Sequence, residues 1–299
     1  WILAPSASLA AVDLGLPDSI EGLVLSRIDR LPEADKLTLR MASVIGRTFA
    51  LDVLAQAHPL HLGAEALAAQ LDTLQARDFA RVEEPDPRRR YMFKHNVTHG
   101  VAYDTLLFSQ RRQLHQAVGN ALERVAPDAV AELAHHASMG EDWRRALHYE
   151  ALAGRQAQRL FATHEGIEHF KKALHSAAHL PSADSSTQCQ EIHAALGELL
   201  TSASQYDAAG DHLEHAFALA LALSDRDGQA DACRCFARLY ELRGDYAGAL
   251  DWITRSLEAL GGAETPAAAQ TLITAGLIRT RQGDYAGALA RARCGERAV

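Results

Sequence analysis

Two pairs of histidines in the sequence have the spacing of metal ligands on a helix. His95 and His99, in YMFKHNVTHGVAYDTLL, are four residues apart, and so are His175 and His179. Four residues make about one helical turn, so each pair places two imidazoles on one face, as in a zinc site. A metalloprotease helix needs a glutamate after the first histidine, and here an asparagine and a serine stand there. No third ligand follows at a recognisable spacing, so we predict no metal site.

The sequence also lacks the usual motifs of nucleotide and nucleophilic chemistry. It has no GxxxxGK[ST] phosphate loop, no GxGxxG turn after a strand and no GxSxG elbow. We therefore predict no catalytic residue in this chain.

With fifteen histidines in 299 residues, pairs at this spacing arise by chance. The histidines at 135, 136, 212 and 215 are expected at partly exposed helix positions.

His95 stands apart because of where it falls between predicted elements. It follows a predicted strand, RYMFK, and begins a helix that extends to about Leu107. Unpaired backbone N–H groups and the positive end of the helix dipole favour an anion such as a phosphate there. Lys94 would add a positive charge, whereas His99 lies beyond the useful range of the dipole and is expected on the helix surface or in packing. Packing under the neighbouring hairpin is the alternative role for His95.

The elements before His95 are predicted to be helices followed by a hairpin. LPDSIEGLVLSRIDRLP is predicted as a helix capped by Asp18 or Ser19 and closed by Pro32. A second helix has an apolar stripe and ends at Gly46, and two more helices follow before the strands DFARV and RYMFK, which EEPDPRRR joins. This order is typical of a winged-helix domain, which we assign to residues 18–109. The stripe and the core face of the fourth helix are expected at Leu37, Met41, Val44, Ile45, Leu67, Leu71 and Leu74.

From about residue 110 the sequence repeats itself. RGDYAGALDWITRSLEAL is echoed by QGDYAGALARA and, more weakly, by SQYDAAGDHLEHAFALA, which places Tyr206, Tyr246 and Tyr285 at equivalent positions. Small residues recur where two helices of a pair would approach closely. In the first helices these are Gly197, Ala237 and Gly276, and in the second helices Ala209, Ala249 and Ala288.

The repeated segment resembles tetratricopeptide repeats. GEDWRRALHYEALAG and ATHEGIEHFKKALHSA are interpreted as two further helical hairpins, with Trp143 in the tyrosine position, and PSADSST as a loop. We assign residues 110–299 to this helical solenoid, incomplete at its C-terminus. Such stacked helix pairs form a face that suits a protein or peptide partner. The overall prediction is a mainly α protein.

Composition limits the compartment and the partners. A net charge of −8 disfavours nucleic acids and anionic membranes, and therefore favours protein partners. Four scattered cysteines and the lack of a long apolar run indicate a reducing cytoplasm and no membrane span. The chain starts at Trp1 and ends within a helical pattern, so we expect it to be part of a longer protein.

Three blocks together resemble the region that follows the ATP-binding domain in STAND-class, AAA-like signalling ATPases. These blocks are LPDSIEGLVLSRIDRLPEADKLTLRMASVIGRTF, YMFKHNVTHGVAYDTLL and LAHHASMGEDWRRALHYEALAG. The resemblance is to those attached to adenylate or guanylate cyclases and to LuxR-family regulators, and it covers residues 18 to about 175.

The resemblance implies roles for particular residues. Residues 1–17 would end a preceding ATPase or linker region, and the winged helix would act as an intramolecular clamp. His95, with Lys94, would contact the phosphate of ADP in the full-length ATP-binding protein, while this fragment alone binds no cofactor. Asn96 stands where the related Met-His-Asp motif has its acid.

Three functions follow as hypotheses. The first is a regulatory segment whose winged helix senses nucleotide state and whose repeats bind a partner, an inducer or the chain's own output domain. The second is a plain repeat scaffold for protein interaction. The third is a DNA-binding winged helix using Arg88, Arg89 and Arg90, although Glu83, Glu84 and Asp86 precede this cluster and disfavour it.

Overall fold

The computed structural model describes residues 18–84, 89–262 and 265–288. The chain divides into two compact units, Trp1–Pro127 and Asp128–Val299. The described residues are mainly helical with one small sheet, so the predicted fold class, a winged-helix domain followed by a tetratricopeptide-like solenoid, is confirmed. The predicted linker at 1–17, the hairpin-tip residues Asp86 and Arg88, and Cys294 lie outside the described residues.

Within residues 18–84 and 89–127, the first unit has six helices and a three-stranded antiparallel sheet in the order β1-β3-β2. In chain order they are α1 (Asp18–Asp29), α2 (Glu33–Ile45), β1 (Thr48–Ala50), α3 (Leu51–Ala57), α4 (Ala64–Ala76), β2 (Ala80–Glu84), β3 (Arg90–Phe93), α5 (Asn96–Asp104) and α6 (Phe108–Val125).

The sheet has one strand more than the sequence predicted. β1 is only three residues long, too short for an alternating pattern to be recognised. It pairs with β3, placing Phe49 opposite Tyr91, and the two rings stack with centroids 5.9 Å apart. The Phe93 ring contacts the Phe49 ring edge-on, with centroids 5.7 Å apart, so these three aromatic side chains form the centre of the unit.

Most of the predicted helix signals hold, with two corrections. Leu67, Leu71 and Leu74 are fully buried. Gly46 caps α2 at φ 147°, a conformation that favours glycine. Pro32 does not close the first helix but is the N-cap of α2, because α1 ends at Asp29.

The second correction concerns the apolar stripe of α2. Met41 and Val44 are buried, but Leu37 and Ile45 are partly exposed and Leu39 is buried instead. The buried face of α2 is therefore rotated away from Leu37 and Ile45 and toward Leu39.

Helix α6 belongs to the first unit, whereas the predicted boundary after residue 109 placed it with the repeats. It packs against α3 and α2, and Arg124 Nε on α6 donates to Gln56 Oε1 on α3 at 2.9 Å. The division between the units consequently falls after Pro127.

The second unit is an array of antiparallel helices. They are α7 (Val130–Met139), α8 (Trp143–Arg159), α9 (Thr163–Ala177), α10 (Ser182–Ser202), α11 (Tyr206–Ala222), α12 (Arg226–Leu242), α13 (Tyr246–Leu260) and α14 (Pro266–Gln282). Helices α8 and α9, α10 and α11, and α12 and α13 form pairs, and the first helices α10, α12 and α14 pack against one another. Tyr206 and Tyr246 begin second helices, as the repeat predicts.

Small residues do mark the close approaches within the pairs. A Cβ on Gly197 would lie 2.3 Å from Leu213 Cδ2, and one on Gly154 would lie 2.7 Å from the Phe170 ring. Ala249, at the corresponding contact of the next pair, is fully buried. These residues let the helix backbones come closer than larger side chains would allow.

Two interpretations of the array were wrong. The segments beginning at Gly140 and Ala162 are not two hairpins; each contributes one helix, α8 or α9, and together they form a single pair. PSADSST is not a loop, because α10 begins at Ser182. Pro181 precedes the helix, and Ser186 Oγ donates to the Ser182 carbonyl at 2.5 Å, so the polar side chains are satisfied within the first turns.

Candidate functional site

His95 and Lys94 lie side by side, exposed, between β3 and α5. His95 is the N-cap of α5 with φ −132°, and its side chain makes no capping hydrogen bond. Lys94 Nζ lies 2.5 Å from Asp78 Oδ1, and this hydrogen bond lowers the pKa of Asp78. The Lys94 charge is therefore shared with a carboxylate of the same surface, while the His95 imidazole stays open to solvent.

His99, one turn into α5, is a packing residue. Its Nε2 lies 3.0 Å from the Ser43 carbonyl on α2, and its ring meets Phe93 edge-on at 5.2 Å. Burial lowers the pKa of His99, which favours the neutral ring that donates to the carbonyl. His95 and His99 therefore have different surroundings despite their helical spacing.

The second histidine pair of the sequence packs on a tryptophan. The His179 ring stacks on Trp143 with centroids 4.1 Å apart, and His175 meets the same indole edge-on at 6.1 Å. Across the described ranges, no group of three or more His, Cys, Asp or Glu residues is arranged to hold a metal ion.

The expectation that the other histidines occupy partly exposed positions fails at His136, which is buried. It also missed His193, which lies on α10 and meets His212 on α11 with their Nδ1 atoms 2.9 Å apart. Burial, and the proximity of His212 and His215, lower the pKa of His193 to about 4. A histidine in this setting stays neutral at physiological pH.

The second unit contains a groove of about 480 Å³. It lies along one face of the first helices α10, α12 and α14 and includes the ends of α8 and α9. Its lining consists of Gln158, Phe161, Thr163, Glu198, Leu199, Thr201, Ser202, Arg234, Cys235, Arg238, Glu241, Thr274, Leu277 and Arg281. Pockets of this size are typical of ligand sites.

One end of the groove carries two arginines that share a buried glutamate. Arg238 Nη1 on α12 lies 2.6 Å from Glu241 Oε2, and Arg281 Nη1 on α14 lies 2.8 Å from Glu241 Oε1. The Glu241 side chain is only 2% exposed, while the two arginines are about half exposed. Glu241 Oε2 accepts a hydrogen bond from Arg238, whereas Oε1 accepts none, so Arg281 is held at the wall of the groove by the attraction of opposite charges.

The other end of the groove has one arginine between two carboxylates, which leaves one negative charge there. Arg234 lies 3.2 Å from Asp231 and 3.8 Å from Glu198, and the Cys235 thiol donates to Glu198 at 3.4 Å. Burial raises the pKa of the Cys235 thiol well above its ordinary value. Cys235 is therefore a packing residue and not a nucleophile at neutral pH.

Two apolar side chains of the lining are exposed. Phe161 has 91% of its surface exposed and Leu277 57%. Phe161 lies in the turn between α8 and α9 with φ 58°, in the left-handed region that non-glycine residues rarely adopt. The other described turns of the array that have a positive φ place Glu141, Ser204, Ser224, Gly244, Gly261, Gly262 and Gly283 there.

The sequence analysis did not identify this groove. Arg234, Arg238 and Glu241 have the i, i+4, i+7 spacing of one helical face, which was a usable signal. What the spacing could not show is that Arg281, 40 residues further along the chain, joins the same glutamate.

No helix among the described residues is long and apolar enough to cross a bilayer.

The fold is that of a tetratricopeptide-like helical-repeat array with a winged-helix unit. No protein-family model matches the sequence, and no curated protein matches it either.

Solved structures with similarity to the chain include that of MamA. Its sequence identity is 17% and its TM-score 0.36, over 64% of this chain and 88% of MamA. The apo form of RapI is 12% identical with a TM-score of 0.49, over 94% of this chain and 70% of RapI.

A third similar structure is a signal transduction ATPase with numerous domains (STAND) that has a tetratricopeptide repeat sensor, from Pyrococcus horikoshii. It is 11% identical with a TM-score of 0.48, over 93% of this chain. This chain spans 46% of that protein's length.

Proposed function

We propose that this chain is a regulatory protein-interaction segment of a longer signal-transduction ATPase. In this proposal the groove of the second unit binds a peptide segment of a partner protein. The first unit responds to nucleotide, with His95 contacting a phosphate of ADP that an ATP-binding core holds, and the output domain is of the nucleotide-cyclase or LuxR type.

The observation that carries the partner-binding role is the groove itself. It combines a volume of about 480 Å³ with exposed apolar side chains and with polar groups fixed by a buried glutamate. Binding sites for peptides typically pair apolar contact area with a few well-placed polar groups. The lining spans successive first helices, so an extended peptide would contact several repeats at once.

Support for the nucleotide role comes from the position of His95. The imidazole is exposed at the N-terminus of α5, where the first N–H groups of a helix have no partner within the helix. An anion placed there is favoured by these N–H groups and by the helix dipole. The choice of ADP comes from the resemblance of this block to STAND-class sequences.

The groove role can be tested by selecting binders from a random peptide library displayed on phage against the whole chain. Thr274→Trp would fill the groove, and we expect it to weaken the selected peptides at least about tenfold. Thr254→Trp is the matched control, since Thr254 is exposed on the second helix α13 and, like Thr274, bonds the carbonyl four residues earlier. Peptides that bind both variants equally, or a failure to select any, would contradict the proposal.

The nucleotide role is tested in the full-length protein. His95→Ala should weaken ADP retention by about 10- to 100-fold, the effect of losing one charge-assisted hydrogen bond. His164→Ala, another exposed histidine at a helix start, is the control. Equal ADP retention by the His95 variant and the wild type would reject the role.

A further inference from the structure

The groove contains a positive pair and an exposed aromatic ring that the array does not need for its own packing. Building on the partner-binding role above, we propose that the bound segment is an internal, extended stretch of a partner protein. In it an acidic side chain binds between Arg238 and Arg281, and a neighbouring apolar side chain packs on Phe161 and Leu277.

An acidic side chain suits the two arginines that Glu241 contacts. Each arginine contacts this carboxylate through one Nη1 atom, at 2.6 and 2.8 Å, and a guanidinium group carries five N–H donors. Both arginine side chains are about half exposed and line the groove. Further donors are therefore available to a ligand, and two arginines with one glutamate leave one positive charge at this end.

The buried glutamate also prepares the arginines for binding. Arginine loses considerable side-chain freedom when it is immobilised, and this loss weakens binding. Here Glu241 already holds the Arg238 guanidinium by a hydrogen bond and keeps that of Arg281 close by its charge before a ligand arrives. At the other end Arg234 is engaged by Asp231 and Glu198, so the preference for an anion is confined to the Arg238 and Arg281 end.

Phe161 favours an apolar side chain next to the acid in the bound segment. At the matching turn positions the array uses glycine, serine or glutamate, which are small or soluble, whereas Phe161 is a large ring exposed at a positive φ. Both the backbone conformation and the exposure are unfavourable for the folded chain alone. Residues kept in such conformations cluster at binding sites. Leu277 lines the same groove and is also exposed.

The extent of the lining favours an internal segment over a chain end. The groove is bounded by residues from the end of α8 through α10 and α12 to α14. A peptide that follows this row of first helices presents successive side chains to it, so the recognised carboxylate belongs to an Asp or Glu within the segment.

The decisive experiment uses individual peptides from the displayed library, made with amidated ends and labelled with fluorescein. Selected peptides should carry Asp or Glu next to an apolar residue, and replacing that acid by its amide should weaken binding at least about tenfold. Arg281→Gln should cause a similar loss for the acidic peptide and little further loss for the amide version. Arg255→Gln, an exposed arginine on α13, is the control.

Phe161→Ser provides a second, independent test that does not disturb the ion pairs. It should weaken peptide binding about tenfold while leaving the melting temperature of the chain unchanged or higher, because serine already occupies this position in two other turns. Unchanged peptide affinity in this variant would overturn the proposed apolar contact.

The outcomes separate this inference from the broader proposal. If groove binding is blocked by Thr274→Trp but shows no preference for an acid, the partner role stands and the acidic-segment inference is wrong. If the peptides need a free C-terminal carboxylate and lose binding on amidation, the internal-segment assignment is wrong. Binding that Thr274→Trp does not affect would reject the partner role itself.

Discussion

Gly197 on α10 packs so closely against Leu213 on α11 that a Cβ on the glycine would lie 2.3 Å from Leu213 Cδ2. Real Cβ atoms do not come this close to another carbon atom, so the separation of the two helices depends on the missing side chain. This contact lies within a helix pair whose first helix supplies Glu198 and Leu199 to the groove. The packing of the pairs thus sets the spacing of the groove wall.

Gly197→Ala should therefore destabilise the chain by about 1–3 kcal/mol, the usual effect of forcing an extra carbon into a packed interface. Gly276→Ala is the matched control, because its nearest contact, the Ala288 carbonyl oxygen, would lie at an ordinary 3.7 Å. Alanine has a higher helix propensity than glycine, so the Gly276→Ala variant should be as stable as the wild type or more stable by up to about 1 kcal/mol. Urea denaturation measures both, and equal stabilities would contradict the packing described here.

Glu150 on α8 and His169 on α9 form a buried pair, with Glu150 Oε2 2.7 Å from His169 Nδ1 and the Glu150 side chain 3% exposed. His169→Ala would leave the carboxylate buried without this close contact, and the hydrogen bond from Ser138 is long, at 3.4 Å. We expect a loss of about 2–4 kcal/mol in the free energy of unfolding. Lys171→Ala, which removes an exposed pair with Glu168, should cost at most about 1 kcal/mol. If His169→Ala lowered the free energy of unfolding no more than Lys171→Ala does, the pair of Glu150 and His169 would not be structurally important.

His193 should make the stability of the array depend on pH. Because its pKa falls from an ordinary 6.5 to about 4 on folding, the unfolded chain binds a proton between these values that the folded chain does not. Above pH 6.5 His193 is neutral in both states, so the free energy of unfolding keeps its full value. As the pH falls from 6.5 toward 4, the free energy of unfolding decreases by an amount on the order of 1–3 kcal/mol. His212 and His215 add positive charge as they protonate, while Asp211 opposes the effect at His212.

His193→Asn keeps a polar group beside His212 but does not titrate. The free energy of unfolding of this variant should therefore decrease less steeply than that of the wild type between pH 6.5 and pH 4. Denaturation curves at several pH values within this range measure the slope. The same slope in both proteins would mean that His193 is not the group responsible.

Phe161→Gly should stabilise the isolated chain. The left-handed conformation at φ 58° costs a non-glycine residue about 1–2 kcal/mol, and the exposed ring has few contacts to lose. We expect a gain of about 0.5–1 kcal/mol after the greater flexibility of glycine in the unfolded chain is included. Thermal unfolding checks it, with Ser224→Gly, at φ 56°, as the control for the turn without the ring. A marked loss of stability at Phe161 alone would show that the ring packs within the fold.

The order of elements could be predicted from the sequence because local patterns carry it. The useful signals arise from interactions within one helix or between neighbouring helices. They are the stripe of Leu67, Leu71 and Leu74, the helix end at Gly46 and the repeated GDYAGAL motif. β1 was missed because its three residues are held by pairing with β3, about 40 residues later in the chain, and a segment that short has no periodicity.

The binding groove was beyond the sequence for a related reason. Glu241 is an ordinary acidic residue of α12 until Arg281 on α14 reaches its second oxygen. Phe161 looks like a core residue by type, and only the backbone of the turn reveals that it is exposed. The position of His95 was predictable, since a strand followed by a helix start can be read locally, whereas the Lys94 partner Asp78 lies in a separate turn.

The central claim, that a partner peptide lies along the first helices of the array, is tested most directly by photo-cross-linking. A selected peptide carrying a photoreactive benzophenone is bound to the chain, irradiated, and its attachment sites are mapped by mass spectrometry. We predict attachment at groove residues such as Phe161, Thr274 and Leu277. Attachment confined to the second helices, for example at the exposed Leu221 of α11, would contradict the account.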